Sequence, residues 1–163
     1  MTTMVSLDIS TTSTGYAIYN NGILVFSGVI KVDEKSMYAR QMVMIDDLQK
    51  LLNQYQPLIV VAEEATPTRN AKVMRSLAMV CGSVMGWCAE NQAEFVLYKP
   101  AEWRKLVCDE GETAPFRRAD AKAWAVKKVL EIYGLEVCDD EAEAILIGQA
   151  RINQFNPIAL KNI

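Results

Sequence analysis

The chain contains no histidine among its 163 residues. Its absence excludes Ser-His-Asp and Cys-His catalysis and makes a zinc site a poor fit. The four cysteines show neither a CxxC pair nor a zinc-ligand spacing, so we expect reduced thiols that pack as small core residues: Cys81, Cys88, Cys108 and Cys138. Any chemistry must then use carboxylates, lysine, tyrosine or a hard metal ion.

Long apolar runs and targeting signals are also missing. The apolar runs are too short to cross a bilayer, and the N-terminus lacks the basic and apolar regions of a signal peptide. We therefore expect a cytoplasmic protein with no membrane partner. The length, the 51% hydrophobic content and the absence of internal repeats predict one globular domain over residues 1–163.

Excess positive charge is missing overall, because the formal net charge is −3. Basic residues are nevertheless clustered. One group comprises Arg69, Lys72 and Arg75, and a second includes Arg104, Lys105, Arg117, Arg118, Lys122 and Lys127. Such groups usually form a solvated face, so alone they are weak evidence for a polyanionic partner.

Apolar periodicity predicts five strands. Residues 4–9, 15–19 and 23–31 are interpreted as three antiparallel strands, the last two joined by the hairpin sequence Asn20-Asn21-Gly22. The hydroxyl-rich segment before Gly15 is the predicted first turn, with this glycine allowing the chain to reverse. "LIVVAEE" and "EFVLY" are predicted as two further short strands.

Helical spacing begins near Ser36 and ends before Pro57, and it returns in four later segments. These are residues 69–91, 100–107, 118–133 and 139–155, with a loop at 108–116 and an N-cap expected at Asp139 or Asp140. The helix over 69–91 is apolar on more than one face. Gly82 and Gly86 lie four apart beside Met85, which favours close approach of a second helix and a homodimer interface there.

Carboxylates stand at the ends of predicted elements. Asp8 ends the first strand, Glu63 or Glu64 ends the fourth, and Asp140 and Glu143 share a face of the last helix. Adjacent, parallel strands one and four would bring these acids to one edge of the sheet. Clustered carboxylates need a counter-charge, and two Mg²⁺ or Mn²⁺ ions would support phosphodiester hydrolysis. Individually, these acids could instead cap a helix or form a polar strand end.

The segments "LDISTTSTGYAI", "VVAEEA" and "DDEAEAILIGQA" together resemble the three acidic motifs of the RuvC-type Holliday junction resolvases, in the family's order. The resemblance covers essentially the whole chain. It implies an α/β, RNase H-like fold with a mixed five-stranded sheet, its first three strands antiparallel, flanked by helices. It also implies a homodimer that nicks four-way DNA junctions symmetrically with Mg²⁺ or Mn²⁺, leaving 5′-phosphate ends. The small size suits a phage-encoded member acting in a bacterial cell.

Carried over position by position, the resemblance implies Asp8, Glu63, Asp140 and Glu143 as catalytic metal ligands, with Glu64 as the alternate to Glu63. Glu143 departs from the family, which usually has aspartate there. The aromatic residue that bacterial relatives carry shortly after the second motif is absent, since residues 65–68 are "ATPT". The basic residues expected to contact DNA are Lys105, Arg117, Arg118 and Lys122 near the cleaved bond, and Arg69, Lys72 and Arg75 beside the dimer cleft.

Three other interpretations remain at this point. A phosphate-binding ATPase or sugar kinase begins with a similar strand and hydroxyl-rich turn, but it needs two such domains and a longer chain. A non-catalytic RNase H-like DNA-binding module would not need the full set of acids. A nuclease for forks, flaps or other branched DNA would use the same chemistry on a broader substrate range.

Overall fold

The computed structural model describes residues 2–65 and 70–155. The sheet has five strands in the order β3-β2-β1-β4-β5. These are β1 (Thr3–Asp8), β2 (Ser13–Asn20), β3 (Ile23–Lys31), β4 (Ile59–Glu63) and β5 (Glu94–Tyr98). The first three are antiparallel, as expected, β4 runs parallel to its neighbour β1, the arrangement on which the predicted acid cluster depends, and β5 runs parallel to β4. Asn21 and Gly22 both have positive φ, which is the backbone that a tight hairpin between β2 and β3 requires.

Five helices cover the two faces of this sheet. They are α1 (Met37–Tyr55), α2 (Ala71–Glu90), α3 (Pro100–Val107), α4 (Arg118–Tyr133) and α5 (Asp139–Phe155). Residues of α1 and α2 pack with Val5, Leu7 and Val60 on one face. Residues of α3, α4 and α5 pack with Met4 and Val61 on the other. Alternate side chains of β1 and β4 thus lie in two separate cores, one on each face of the sheet, so the fold has a helix layer, a sheet and a second helix layer.

Three local predictions were wrong. Only Cys88 is a buried thiol; Cys81 and Cys108 are half-buried and Cys138 is exposed, although all four are free. Asp139 and Asp140 lie within the first turn of α5, where acids suit the helix dipole, and not ahead of it. Gly15 lies inside β2 opposite Asp8, so the chain reverses before it.

No helix in the described part of the chain is long and apolar enough to span a membrane.

Candidate active site

Strand alternation directs Asp8 and Glu63 toward α5. In β1, Met4 and Ser6 lie on the α5 face, and Asp8 follows them at the same period of two. In β4, Ile59 and Val61 lie on that face, which places Glu63 there as well. Because Leu7 pairs with Ala62 in the parallel β1–β4 ladder, the next residues end neighbouring strands side by side.

Glu64 lies outside this arrangement. It follows the last residue of β4, its side chain is exposed, and its backbone N–H donates to the Tyr98 carbonyl at 2.8 Å. The alternation that turns Glu63 inward therefore turns its neighbour outward. Between the two candidates of the second motif, Glu63 lies at the site.

The helix α5 brings the remaining two acids because its backbone lies directly on the sheet. Ser6 Oγ donates to the Ala144 carbonyl at 2.7 Å, and the buried Tyr19 hydroxyl donates to the Ile145 carbonyl at 2.6 Å. A Cβ at Gly15 would lie only 1.9 Å from the Asp140 carbonyl oxygen. Glycine at position 15 is therefore what allows the first turn of α5, with Asp140, to approach β1 and β2.

The four carboxylates are electrostatically coupled. Burial, followed by the charges of Glu143, Glu63 and Asp140, raises the pKa of Asp8 well above its usual value. Burial also raises the pKa of Glu63 and of Glu143, and the Glu63 charge adds to the rise at Glu143. Neighbouring acids thus disfavour ionisation of Asp8 and of Glu143, as expected where negative charge is concentrated in a poorly solvated space.

Two cations lie among these acids. Lys122 Nζ donates to Asp139 Oδ2 at 2.6 Å and to Asp140 Oδ1 at 2.9 Å, and it lies 3.9 Å from Glu143 Oε2. Although burial opposes it, this bonding raises the lysine pKa, so the ammonium stays charged. Arg104 Nη2 lies 3.5 Å from Glu143 Oε1. Both side chains partly neutralise the carboxylate cluster.

Hydrogen-bond donors orient two of the carboxylates. The fully buried Trp103 donates from Nε1 to Glu63 Oε2 at 2.6 Å, and Ser13 Oγ donates to Asp140 Oδ2 at 2.5 Å. The Arg104 guanidinium lies 5.1 Å from the centre of the Trp103 ring. Sequence reasoning missed Trp103, Arg104 and Ser13 as site residues. Ser13, within the hydroxyl-rich segment beside Asp8, and Arg104, within the second basic group, each carried a signal that could have found them, whereas Trp103 carried none.

The predicted DNA-contacting residues are placed unevenly around this site. Lys122 lies inside it, and the Arg118 charge partly opposes the burial that raises the pKa of Glu63 and Glu143, so Arg118 is near. Arg117 is exposed and pairs with Asp120 at 3.5 Å. Lys105 is exposed on α3, where its neighbour Arg104 makes the contact with the carboxylates. Lys72 and Arg75 are exposed on α2, and Arg69 lies outside the described residues.

The donor chemistry of the site fits a hard divalent cation. Asp8, Glu63, Asp140 and Glu143 offer only carboxylate oxygens, the ligands that Mg²⁺ and Mn²⁺ prefer, and a cation would relieve their mutual repulsion. No three acids or cysteines of residues 2–65 and 70–155 are already arranged as a coordination group. Holding an ion would therefore require some of these carboxylates to move closer together.

A family model for crossover junction endodeoxyribonuclease RuvC matches residues 4–150. The chain belongs to this family. A RuvC protein of Dictyoglomus thermophilum is 25% identical over 149 residues, covering 88% of this chain and 92% of the relative. A RuvC protein of Rickettsia akari is 27% identical over 122 residues, covering 74% and 75% of the two chains. Membership in the RuvC family removes the ATPase and sugar kinase interpretation.

Solved structures show the same fold. Thermus thermophilus RuvC in complex with a Holliday junction substrate superposes with a TM-score of 0.73 at 16% identity, covering 96% of this chain and 95% of that one. The Fowlpox virus resolvase in complex with a Holliday junction superposes with a TM-score of 0.58 at 15% identity, covering 94% and 98%. The RNase H-like architecture expected from the RuvC resemblance is thereby confirmed.

Proposed function

We propose that this RuvC-family chain resolves four-way DNA junctions by hydrolysing phosphodiester bonds at the cluster formed by Asp8, Glu63, Asp140 and Glu143. The observation that carries the proposal is the meeting of these acids, from β1, β4 and α5, at one end of the sheet. The proposal treats residues 1–163 as one nuclease domain. Because bacterial DNA lies in the cytoplasm and the matched RuvC relatives are bacterial, it also locates the enzyme there.

In this proposal Asp8, Glu63, Asp140 and Glu143 would hold two Mg²⁺ or Mn²⁺ ions. Such ions would supply Lewis-acid chemistry, activating water for attack and neutralising charge on the phosphate. Trp103 and Ser13 hold Glu63 and Asp140 in fixed orientations through their hydrogen bonds. This support matters because a displaced ligand weakens a metal site.

The cations of the site act on the phosphate. Lys122 stays protonated, and its ammonium lies beside Asp140 and Glu143, where it would stabilise negative charge that develops on the phosphate oxygens. Arg104 and Arg118 add positive charge from α3 and from the start of α4. They attract the DNA backbone and position it without reading its sequence.

A homodimer through α2 completes the proposal, since two symmetric nicks need two sites. One side of α2 is exposed although its residues are apolar: Ala78, Met79, Gly82, Met85, Gly86 and Ala89. These residues recur at intervals of three and four, so they form one stripe along the helix. Apart from the helix's own backbone, a Cβ at Gly82 or Gly86 would meet no atom of the described residues within 4 Å, which leaves both positions open to a second copy.

The function is tested with a synthetic four-way junction in Mg²⁺ and in Mn²⁺. We expect wild-type protein to nick opposite strands at symmetric positions, leaving ligatable 5′-phosphate ends. Glu63→Gln removes a proposed ligand and should slow cleavage by more than about 100-fold while the junction is still bound. Glu64→Gln changes the adjacent exposed residue, so it should cleave like wild type and serves as the matched control.

The same experiment separates the remaining alternatives. A protein that binds the junction but never cuts with either metal would be a non-catalytic DNA-binding module, and the nuclease proposal would fail. Equal rates on flaps, forks and four-way junctions would mean a broader branched-DNA nuclease. Equal activity of the Glu63→Gln and Glu64→Gln variants would contradict the assignment of the second-motif ligand.

A further inference from the structure

The loop between α3 and α4 ends in a fully exposed aromatic side chain. Phe116 has a relative exposure of 101%, the highest of the exposed large apolar residues in the described chain. It directly precedes Arg117, the N-cap of α4, a position where an apolar residue often packs onto the fourth helical residue. That residue is Ala121, which is buried under other side chains, so Phe116 does not serve this structural purpose.

The exposure of Phe116 does not come from a loosely held loop. Lys128 on α4 is only 3% exposed, and its Nζ donates to Asp109 at 2.5 Å and to Glu112 at 2.6 Å. Trp124 Nε1 donates to Glu112 at 2.7 Å, and the Asp109 N–H donates to the same carboxylate at 2.8 Å. The loop is thus fastened to α4 shortly before Phe116, and the aromatic ring extends from a fixed base.

The surroundings of Phe116 are positively charged and adjoin the site. Arg117 and Arg118 follow it directly and are exposed. Arg118 acts on the Glu63 and Glu143 carboxylates, and Lys122, one turn further along α4, contacts Asp140. An apolar protein surface would not pair with these arginines. A DNA strand offers phosphates that pair with the arginines and flat bases that can contact the Phe116 ring.

We propose that Phe116 stacks on a base of the DNA strand beside the cleaved phosphodiester, at a position where that base has left its own stack. The inference rests on the proposed function and deepens it by naming a substrate contact. Aromatic side chains on basic surfaces bind unstacked bases because every base has a flat π-face. A four-way junction supplies such bases near its crossing point more readily than an intact duplex does.

The test is a binding cycle that combines protein variants with junctions lacking single bases. In the Asp8→Asn background, which prevents cutting, Phe116→Ala should bind an intact junction about five- to a hundredfold more weakly. Junctions with one abasic site are then scanned across the cleavage region. At the position that Phe116 contacts, Phe116→Ala should cause no further loss, because the two changes remove the same interaction.

Three further variants separate stacking from other effects. Phe116→Trp should retain the affinity of the parent protein, and Phe116→Leu, which is apolar but not aromatic, should lose it. Phe155→Ala is the matched control, because Phe155 is 67% exposed at the far end of α5, where Arg151 covers its ring at 4.2 Å. This control should bind as the parent does.

Two results would overturn the inference while leaving the proposed function intact. One is a Phe116→Ala variant with unchanged affinity for every junction; the other is a Phe116→Leu variant that binds as tightly as Phe116→Trp. Failure of the proposed function would be distinct, because wild-type protein would then not cut a four-way junction with either metal, whatever its affinity for that junction.

Discussion

Asp8 is a half-buried carboxylate whose ionised form lowers the stability of the folded protein, although the proposed metal site needs that charge. Its pKa is raised by burial and then by Glu143, Glu63 and Asp140, so its ionised form is disfavoured in the folded state. A raised folded-state pKa contributes stability that is present below the unfolded value, near 3.8, and is lost as pH rises through the folded pKa. The metal-free protein should therefore carry this cost at neutral pH.

The Asp8→Asn variant removes the charge with almost no change of shape. We expect it to abolish cleavage and to stabilise the metal-free protein by about 1–3 kcal/mol, or roughly 2–10 °C in Tm. The increase in the free energy of unfolding should be larger at pH 8 than at pH 4, because Asp8 is protonated in the folded wild type at low pH. Urea unfolding in the presence of a chelator measures this difference. Asp46→Asn changes an exposed α1 carboxylate and should shift stability by less than about 0.5 kcal/mol.

Addition of metal should favour the wild-type protein over Asp8→Asn. Mn²⁺ should raise the Tm of wild-type protein, because a ligand that binds only the folded state stabilises it, and should raise that of Asp8→Asn much less. A destabilised Asp8→Asn protein in chelator would contradict the view that these acids repel one another.

At the residue scale, sequence reasoning identified the acids but misjudged their neighbours. Strand ends and helical spacing are local properties, so Asp8, Asp140 and Glu143 could be placed at one edge from the sequence. Arg104 and Lys105 are adjacent on α3, and only the rotation of that helix against α5 decides which one reaches Glu143. Gly15 was assigned to a turn, whereas its actual constraint is the Asp140 carbonyl, 125 residues later in the chain.

At the element scale, the segments with the clearest boundary residues were predicted to the residue. The bounds of β5, α3, α4 and α5 agree with the sequence interpretation, because Pro100, Gly134 and the acids in the first turn of the last helix mark the ends of these elements. The loop 108–116 was correctly predicted as irregular. Its fastening to α4 was not foreseen, since Lys128 looks like any surface lysine of a helix until the fold buries it.

The fastening of this loop makes a testable contribution to stability. Burial opposes it, yet hydrogen bonds from Lys128, Trp124 and the Asp109 backbone lower the pKa of Glu112 to about 2. Lys128→Met leaves Glu112 and Asp109 without their cation and should cost about 1–3 kcal/mol at pH 7, measured by urea unfolding. Cleavage should also slow, because the start of α4 carries Arg118 and Lys122.

Lys127→Met is the control for this change. Lys127 is the exposed neighbour, paired with Glu131 at 3.6 Å, so its loss should cost less than about 1 kcal/mol. A depressed pKa contributes stability above the usual value of 4.5 that is lost as pH falls toward 2. The difference between wild type and Lys128→Met should therefore shrink across that interval; a constant difference would show that packing, and not the ion pair, explains the loss.

At the scale of the whole molecule, the two faces of the sheet carry different surfaces. The α3–α4–α5 face builds the carboxylate site, and the α1–α2 face ends in an exposed apolar stripe on α2. The sequence showed that α2 is apolar on more than one side, but it could not show which residues the fold leaves uncovered. Gly82, Met85 and Gly86 are among those left exposed, as a homodimer interface requires.

The final prediction concerns this interface. Wild-type protein should sediment as a dimer at micromolar concentration, whereas Gly82→Leu should dissociate. Position 82 has room for a side chain within the monomer, so the variant should keep its fold and gain about 1 kcal/mol of helix stability. The added leucine side chain should prevent the close approach of a second α2. Ala123→Leu, which adds a side chain at an exposed position of α4, should stay dimeric and serves as the control.

Cleavage of a junction extruded from plasmid DNA tests whether the dimer is needed for paired nicks. The dissociated Gly82→Leu variant should nick one strand at a time, whereas wild-type protein should nick both strands together. A monomeric wild type, or paired nicking by monomeric Gly82→Leu, would show that symmetric cleavage does not depend on the α2 stripe.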